Sequence, residues 1–225
     1  MPACRWCCST SGRGVPAVVT DDVEGGRLAT RHLLALGHER IAFIGDDPDN
    51  PLGFTAGSSR EVGYRQTMAD AGAALPPGYV CHGPHVRAIA RRLTERLLAR
   101  RDPPTAVFAS SDVQALGVLE AARAAGLDVP GDVSVVGFDD VEVSGYAGLT
   151  TVRQPLFESG KVAARILLDA LEEGHLPEPR EHRLGLELVE RFTTAPPSRR
   201  RRSGVSATPK SNARAVKGLR KPVGG

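Results

Sequence analysis

Along most of this chain, short apolar runs of strand length alternate with longer stretches whose apolar residues recur at helical spacing. The alternation constrains the fold strongly, because a strand, a helical crossover and a second strand in one sheet pair in parallel. Ile41-Ala42-Phe43-Ile44-Gly45 is apolar throughout, the pattern of a strand buried on both faces. Thr105 to Ala109 and Val133 to Gly137 have the same character, and Tyr79-Val80-Cys81 is a weaker strand. Helices are predicted over Glu24 to Leu36, from a Ser58 or Ser59 cap to Ala71, and around Ile89, Leu93 and Leu97 up to Pro103-Pro104. A further helix starts at Asp112 as its cap and aligns Ala115, Leu119 and Ala122. Gly37, Gly72 and Gly126 stand where three of these helices need a left-handed residue to stop. Thr150-Thr151-Val152 precedes a helix from Phe157 to about Glu173, and the alternating stretch His182 to Glu190 reads as one last strand. The class is α/β with doubly wound parallel sheets.

The flanks differ from this body. Residues 1 to 14 show no periodicity, so the domain is expected from 15 to 197, after an unstructured N-terminal segment. From Ser198 to Gly225 there are nine Lys or Arg and no acid, the composition of a disordered basic tail. The formal charge of +3 is therefore misleading: the first 197 residues hold 20 basic residues against all 26 acids, a net charge of −6. Nucleic-acid attraction read from composition belongs to the tail and not to a face of the fold. No apolar run is long enough to span a membrane and the N-terminus lacks the pattern of a signal peptide, so a cytoplasmic chain with no membrane partner is expected. Cys4, Cys7 and Cys8 crowd the start and Cys81 is distant, which is neither a disulfide framework nor a complete zinc-ligand spacing.

In an open parallel sheet, ligands bind beyond the carboxyl ends of the strands. This rule brings together the loop leading to Arg60, the Ser110-Ser111-Asp112 turn, and Phe138-Asp139-Asp140. A guanidinium, two hydroxyls, carboxylates and an aromatic face suit a polyhydroxylated small molecule, since carboxylate and guanidinium each bond two neighbouring hydroxyls. Asp139 is the leading candidate; Asp112 reads as a helix cap. Enzyme signatures fail in context: there is no G-x-S-x-G, H-E-x-x-H or Walker A pattern, and Gly12-Arg13-Gly14 precedes any strand. His82 and His85 could hold a metal only with carboxylates brought from elsewhere. No cofactor, metal or enzymatic role is expected.

Three long segments carry a resemblance. VVTDDVEGGRLATRHLLALGHERIAFIG, PPTAVFASSDVQALGVLEAARAAGLDVPGDVSVVGFDD and LTTVRQPLFESGKVAARILLDAL are similar, in order and spacing, to the effector-binding region of bacterial lactose/galactose-repressor (LacI/GalR-type) regulators. The resemblance runs from about Val15 to Thr194. It implies a periplasmic-binding-protein-like fold of two α/β lobes, a sugar or related polyol in the cleft as effector, a homodimer, and operator DNA bound through an N-terminal helix-turn-helix headpiece. It also implies effector contacts at Arg60, Asp139, Ser111 and Gln154. Ser111 stands where the family commonly has Asn, and His85 where an aromatic commonly stacks on the sugar. Residues 1 to 14 contain nothing like a helix-turn-helix, and the match begins late in the N-terminal lobe. An N-terminally truncated chain is therefore expected, with that lobe incomplete and its retained pieces, Val18 to Thr20 and the helix after Phe157, exposing strand edges and apolar faces. A free-standing sugar-binding protein of a transport or chemosensory system is the alternative.

Overall fold

The computed structural model describes residues 15–50, 53–175 and 177–198. Cys4, Cys7, Cys8 and the basic stretch from residue 199 lie outside the described residues. The chain runs β1 (Ala17–Thr20), α1 (Asp22–Ala35), β2 (Ile41–Asp46), α2 (Ala56–Asp70), β3 (Val80–Gly83), α3 (Arg87–Leu98) and β4 (Ala106–Ala109). It continues through α4 (Asp112–Ala124), β5 (Ser134–Asp139), α5 (Glu142–Tyr146), β6 (Thr150–Arg153), α6 (Leu156–Glu173), β7 (Glu181–Leu184) and β8 (Glu187–Val189). Six strands form one sheet in the order β3-β2-β4-β5-β6-β8, parallel except for the edge strand β8, and β1 pairs with β7 in a separate parallel pair.

The apolar runs are buried on both sides, as their composition demands. Ile41, Phe43, Ala106, Phe108 and Val136 pack with Ala29 and Leu33 of α1 and Tyr64 and Met68 of α2. Ala42, Ile44, Val107, Ala109 and Val135 pack on the other side with α3 and α4. The sheet is thus wound on both faces, and its strand order reverses between β2 and β4. Gly37, Gly72 and Gly126 take positive φ just after α1, α2 and α4.

Several expectations need correction. The stretch His182 to Glu190 is two strands: β7 joins β1, and after Gly185 the chain crosses to pair β8 antiparallel with β6. Alternation specifies an extended chain but not its partner. Helix α2 starts at Ala56 after Thr55, so Ser58 and Ser59 lie inside its first turn. Asp112 does not cap α4; Ser111 does, its hydroxyl accepting from the Gln114 amide at 3.2 Å. The five-residue helix α5 is too short for an apolar period to announce it.

At the N-terminal ends of the sheet strands, a strap of residues 192–197 is tied down by a buried polar network. His38 donates from Nε2 to the Ala195 carbonyl at 2.9 Å and its Nδ1 lies 3.0 Å from the Thr105 hydroxyl. Thr193 donates to the Val135 carbonyl at 2.7 Å, and the Ala195 amide donates to Ser134 at 3.1 Å. Beside the β1–β7 pair lies α6, packed against β1, and on α6 Phe157, Leu168 and Leu171 are exposed.

Candidate functional site

The reversal between β2 and β4 is where the sheet opens at its carboxyl edge, since the connections leave in opposite directions there. Asp46 ends β2, Ser110 follows β4, and Phe138 and Asp139 end β5. The three loops singled out in the sequence do share one edge.

Arg60 is 6% exposed and enters this edge from α2. Its Nε donates to Asp22 at 2.8 Å and its Nη1 to the Ser110 carbonyl at 2.7 Å, while Asp139 lies 3.6 Å from Nη1. The guanidinium rests on the Phe138 ring, 3.7 Å above its centroid. Two adjacent glycines in α1 permit this. A Cβ on Gly25 would stand 2.6 Å from the Phe138 ring, and one on Gly26 would stand 2.1 Å from the Arg60 carbonyl oxygen. Glycine costs a helix interior about 1 kcal/mol each, and here it lets α2 approach closely enough to deliver Arg60.

Asp139 has a φ of +116° and Asp140 one of +58°, a region that L-residues rarely occupy. The unusual backbone points the Asp139 carboxyl at the sheet edge, where Gln154 donates to it at 2.7 Å. Burial pushes the Asp139 pKa up to about 6, against the opposing pull of Arg60 and the Gln154 hydrogen bond. Asp140 turns away: burial would raise its pKa, but Arg153 and Arg191, each 2.7 Å distant, outweigh that and hold it low.

Asp112 is fully buried beneath this turn. It accepts from Thr151 and Ser144 hydroxyls at 2.6 Å each and from the Val141 amide at 3.0 Å. Burial pushes its pKa up, opposed by these donors. Its carboxylate therefore holds the turn after β5 against β6, and with it the relative position of Asp139 and Gln154.

A second cluster was not foreseen. Asp46 accepts from Gln114 at 3.0 Å and from Nδ1 of His85 at 2.9 Å, and Ser110 donates to the Gln114 carbonyl oxygen at 2.8 Å. The hydrogen bond to Asp46 raises the His85 pKa, against partial burial. Position in the sequence carried the clue, since Asp46 directly follows the apolar run Ile41 to Gly45 and Gln114 stands three residues after Ser111. His82 instead meets Glu61 at 2.6 Å, so the two histidines of His82-Gly83-Pro84-His85 serve different carboxylates.

Of the six residues singled out, Arg60, Asp139 and Gln154 form one cluster, and half-exposed His85 borders it through Asp46. Ser111 is buried and spends its hydroxyl on the α4 cap. Phe138 is fully buried under Arg60 and presents no open face to a ligand. The stacking face expected of it supports the guanidinium instead.

Residues 30–194 match the family model for a periplasmic binding protein-like domain. The HTH-type transcriptional repressor CytR of Escherichia coli is 35% identical over 164 residues, 72% of this chain and 47% of its own length. A LacI transcriptional regulator of Bacillus cereus superposes with a TM-score of 0.76 at 30% identity, over 84% of this chain and 67% of its own. The chain belongs to the LacI family of transcriptional regulators. A LacI-family regulator of Enterococcus faecium solved with bound ribose has a TM-score of 0.73 at 31% identity, covering 84% of this chain and 69% of its own. This LacI-family chain spans about half the length of the curated relatives it matches, and what it holds is part of an effector-binding region. Among the described residues, no helix is long and apolar enough to cross a membrane.

Proposed function

We propose that this chain senses a neutral sugar or related polyol at the carboxyl edge of its sheet, as the effector-binding part of a repressor. Asp139 accepts hydrogen bonds from two neighbouring hydroxyls, Arg60 donates to their oxygens, and Gln154 and His85 border the same ligand. The folded body, residues 15–197, carries this role, and the role is recognition and not turnover. In the assembled regulator, a homodimer in the cytoplasm, effector occupancy alters operator affinity through a helix-turn-helix headpiece.

The observation that carries this reading is the Asp139–Arg60–Gln154 cluster. A carboxylate is held in left-handed backbone, partly buried, and next to a guanidinium that is itself stacked and oriented. Ribose bound to the Enterococcus relative supports the ligand class.

Isothermal titration with D-ribose and with a panel of mono- and disaccharides tests it. At least one should bind, and Arg60→Met and Asp139→Asn should each weaken that binding by tenfold or more, the scale of a lost charge-assisted hydrogen bond of about 1.5–3 kcal/mol. Unchanged affinity in both variants would place the ligand elsewhere.

A further inference from the structure

The edge of the sheet opposite β8 is β3, and it is unpaired on its outer side among the described residues. Phe43 donates to the Tyr79 carbonyl at 2.9 Å and Asp47 to the Gly83 carbonyl at 3.1 Å. In a parallel ladder alternate residues face the same neighbour, so Tyr79, Cys81 and Gly83 face β2, and Val80 and His82 turn their N–H and C=O groups outward. Such an edge is a template for another strand.

Two adjoining depressions of about 270 and 630 Å³ run beside this edge, between β3 and α3, from Gly78 to Pro84. They share His82, Leu93 and Arg96. Cys81, Leu93 and Leu97 give the groove an apolar floor, and its rim carries Arg92 and Arg96 of α3 with Arg100 just beyond the helix. Seven residues of extended chain, at ~3.3 Å each, match the length of such a groove.

The charge on the rim is unspent. Among the described residues, Arg92 and Arg96 have no carboxylate partner, and Arg100 donates only to the Pro77 carbonyl at 2.9 Å while lying over the Tyr79 ring. The neighbouring acid, Glu95, is taken by Arg91 at 2.9 Å. Arg87 of α3 is committed in the same way, to Glu120. Guanidiniums beside an open edge repel basic strands and admit acidic ones.

We infer that the β3 edge and the arginine rim of Arg92, Arg96 and Arg100 form a docking groove for an extended acidic segment of a partner protein, added to the sheet as a seventh strand. Backbone bonds to Val80 and His82 supply the register, and alternate carboxylates, all on the side of the added strand that faces α3, meet the arginines. None of the residues lining the groove belongs to the Asp139–Arg60–Gln154 cluster, and His82, which lines it, is held by Glu61 at 2.6 Å.

The full chain would be titrated against a fluorescein-labelled peptide of alternating glutamate and valine, with fluorescence polarisation as the readout. Saturable binding is expected, with Arg92→Glu and Arg96→Glu each weakening it tenfold or more and Arg96→Gln weakening it less. Circular dichroism melts keep a folding defect apart from a binding defect. The same peptide N-methylated at alternate residues keeps its charge and loses its strand donors, so it should bind at least tenfold more weakly. Equal binding of the methylated peptide would overturn strand addition, and equal competition by single-stranded DNA would overturn the protein partner and make the face a general polyanion surface. Insensitivity to both arginine substitutions would overturn the assignment of the groove.

Discussion

At Asp139 the backbone and the side chain are both held away from their ordinary states, the first by a φ of +116° and the second by burial that brings its pKa to about 6. The carboxyl is thus costly when ionised and without a ligand. Folding raises this pKa above its ordinary 3.8, so the folded chain binds the proton more tightly. The group's contribution to stability is then present at low pH and is lost as pH rises through the window from 3.8 to about 6. Asp139→Asn should make the unliganded chain more stable at pH 8 by about 1–3 kcal/mol, since each tenfold change in proton affinity is worth about 1.4 kcal/mol. Urea melts at a series of pH values check this, and the gain should vanish towards pH 4. The same substitution should weaken the proposed sugar binding tenfold or more. Arg60 and Asp139 were legible in the sequence because a strand-end rule selects them. The roles of Phe138 and Asp112 were not, because a ring that supports a guanidinium and a carboxylate that holds a turn look, in sequence, like a ligand platform and a helix cap.

Among the elements, the packing of α1 on α2 decides whether Arg60 arrives at the edge. A Cβ on Gly26 would meet the Arg60 carbonyl at 2.1 Å, and one on Gly63 would meet the Val23 carbonyl at 2.0 Å. Both neighbours are backbone, so neither can yield without moving a helix. Gly26→Ala should destabilise by about 1–3 kcal/mol, the cost of overpacking, and weaken effector binding beyond that loss. Gly160, exposed on α6 with nothing within 4 Å of its would-be Cβ, is the control. Gly160→Ala should stabilise by up to about 1 kcal/mol through helix propensity alone. Denaturant titration of the two variants side by side distinguishes the cases. In the sequence both glycines look alike, as breaks in a helical pattern, since close approach is a property of the pair of helices and not of either one.

Across the whole molecule, the strap of residues 192–197 closes the end of the sheet remote from the Asp139–Arg60–Gln154 cluster. It depends on two histidines that must stay neutral. Burial lowers the pKa of His38, against its hydrogen bond to Ala195, and burial lowers that of His32, against nearby Glu190. A histidine with a folded pKa below its ordinary 6.5 contributes fully above that value, and the contribution is lost as pH falls below it. Replacing His38 by Gln should cost about 1–3 kcal/mol at pH 8, where two buried hydrogen bonds are disturbed. The difference from the parent chain should shrink progressively below pH 6.5; a difference that stays constant down to pH 5 would show that His38 does not titrate with folding.

The α/β class, the buried strands, the helix stops at Gly37, Gly72 and Gly126, and the sharing of one sheet edge by the loops that carry Arg60 and Asp139 were determined by the sequence alone. Each follows from local physics: apolar runs must be covered on both faces, glycine alone takes a left-handed stop cheaply, and helical crossovers compel parallel strands whose carboxyl ends converge. Only tertiary structure decided that His182 to Glu190 divides between two sheets, and that Ser111 rather than Asp112 caps α4. It alone drew Asp46, Gln114 and His85 together across 68 and 39 positions of chain. Strand partners, buried carboxylate networks and helix-to-helix approach depend on what lies opposite a residue in space, and a linear pattern specifies only which face that residue occupies.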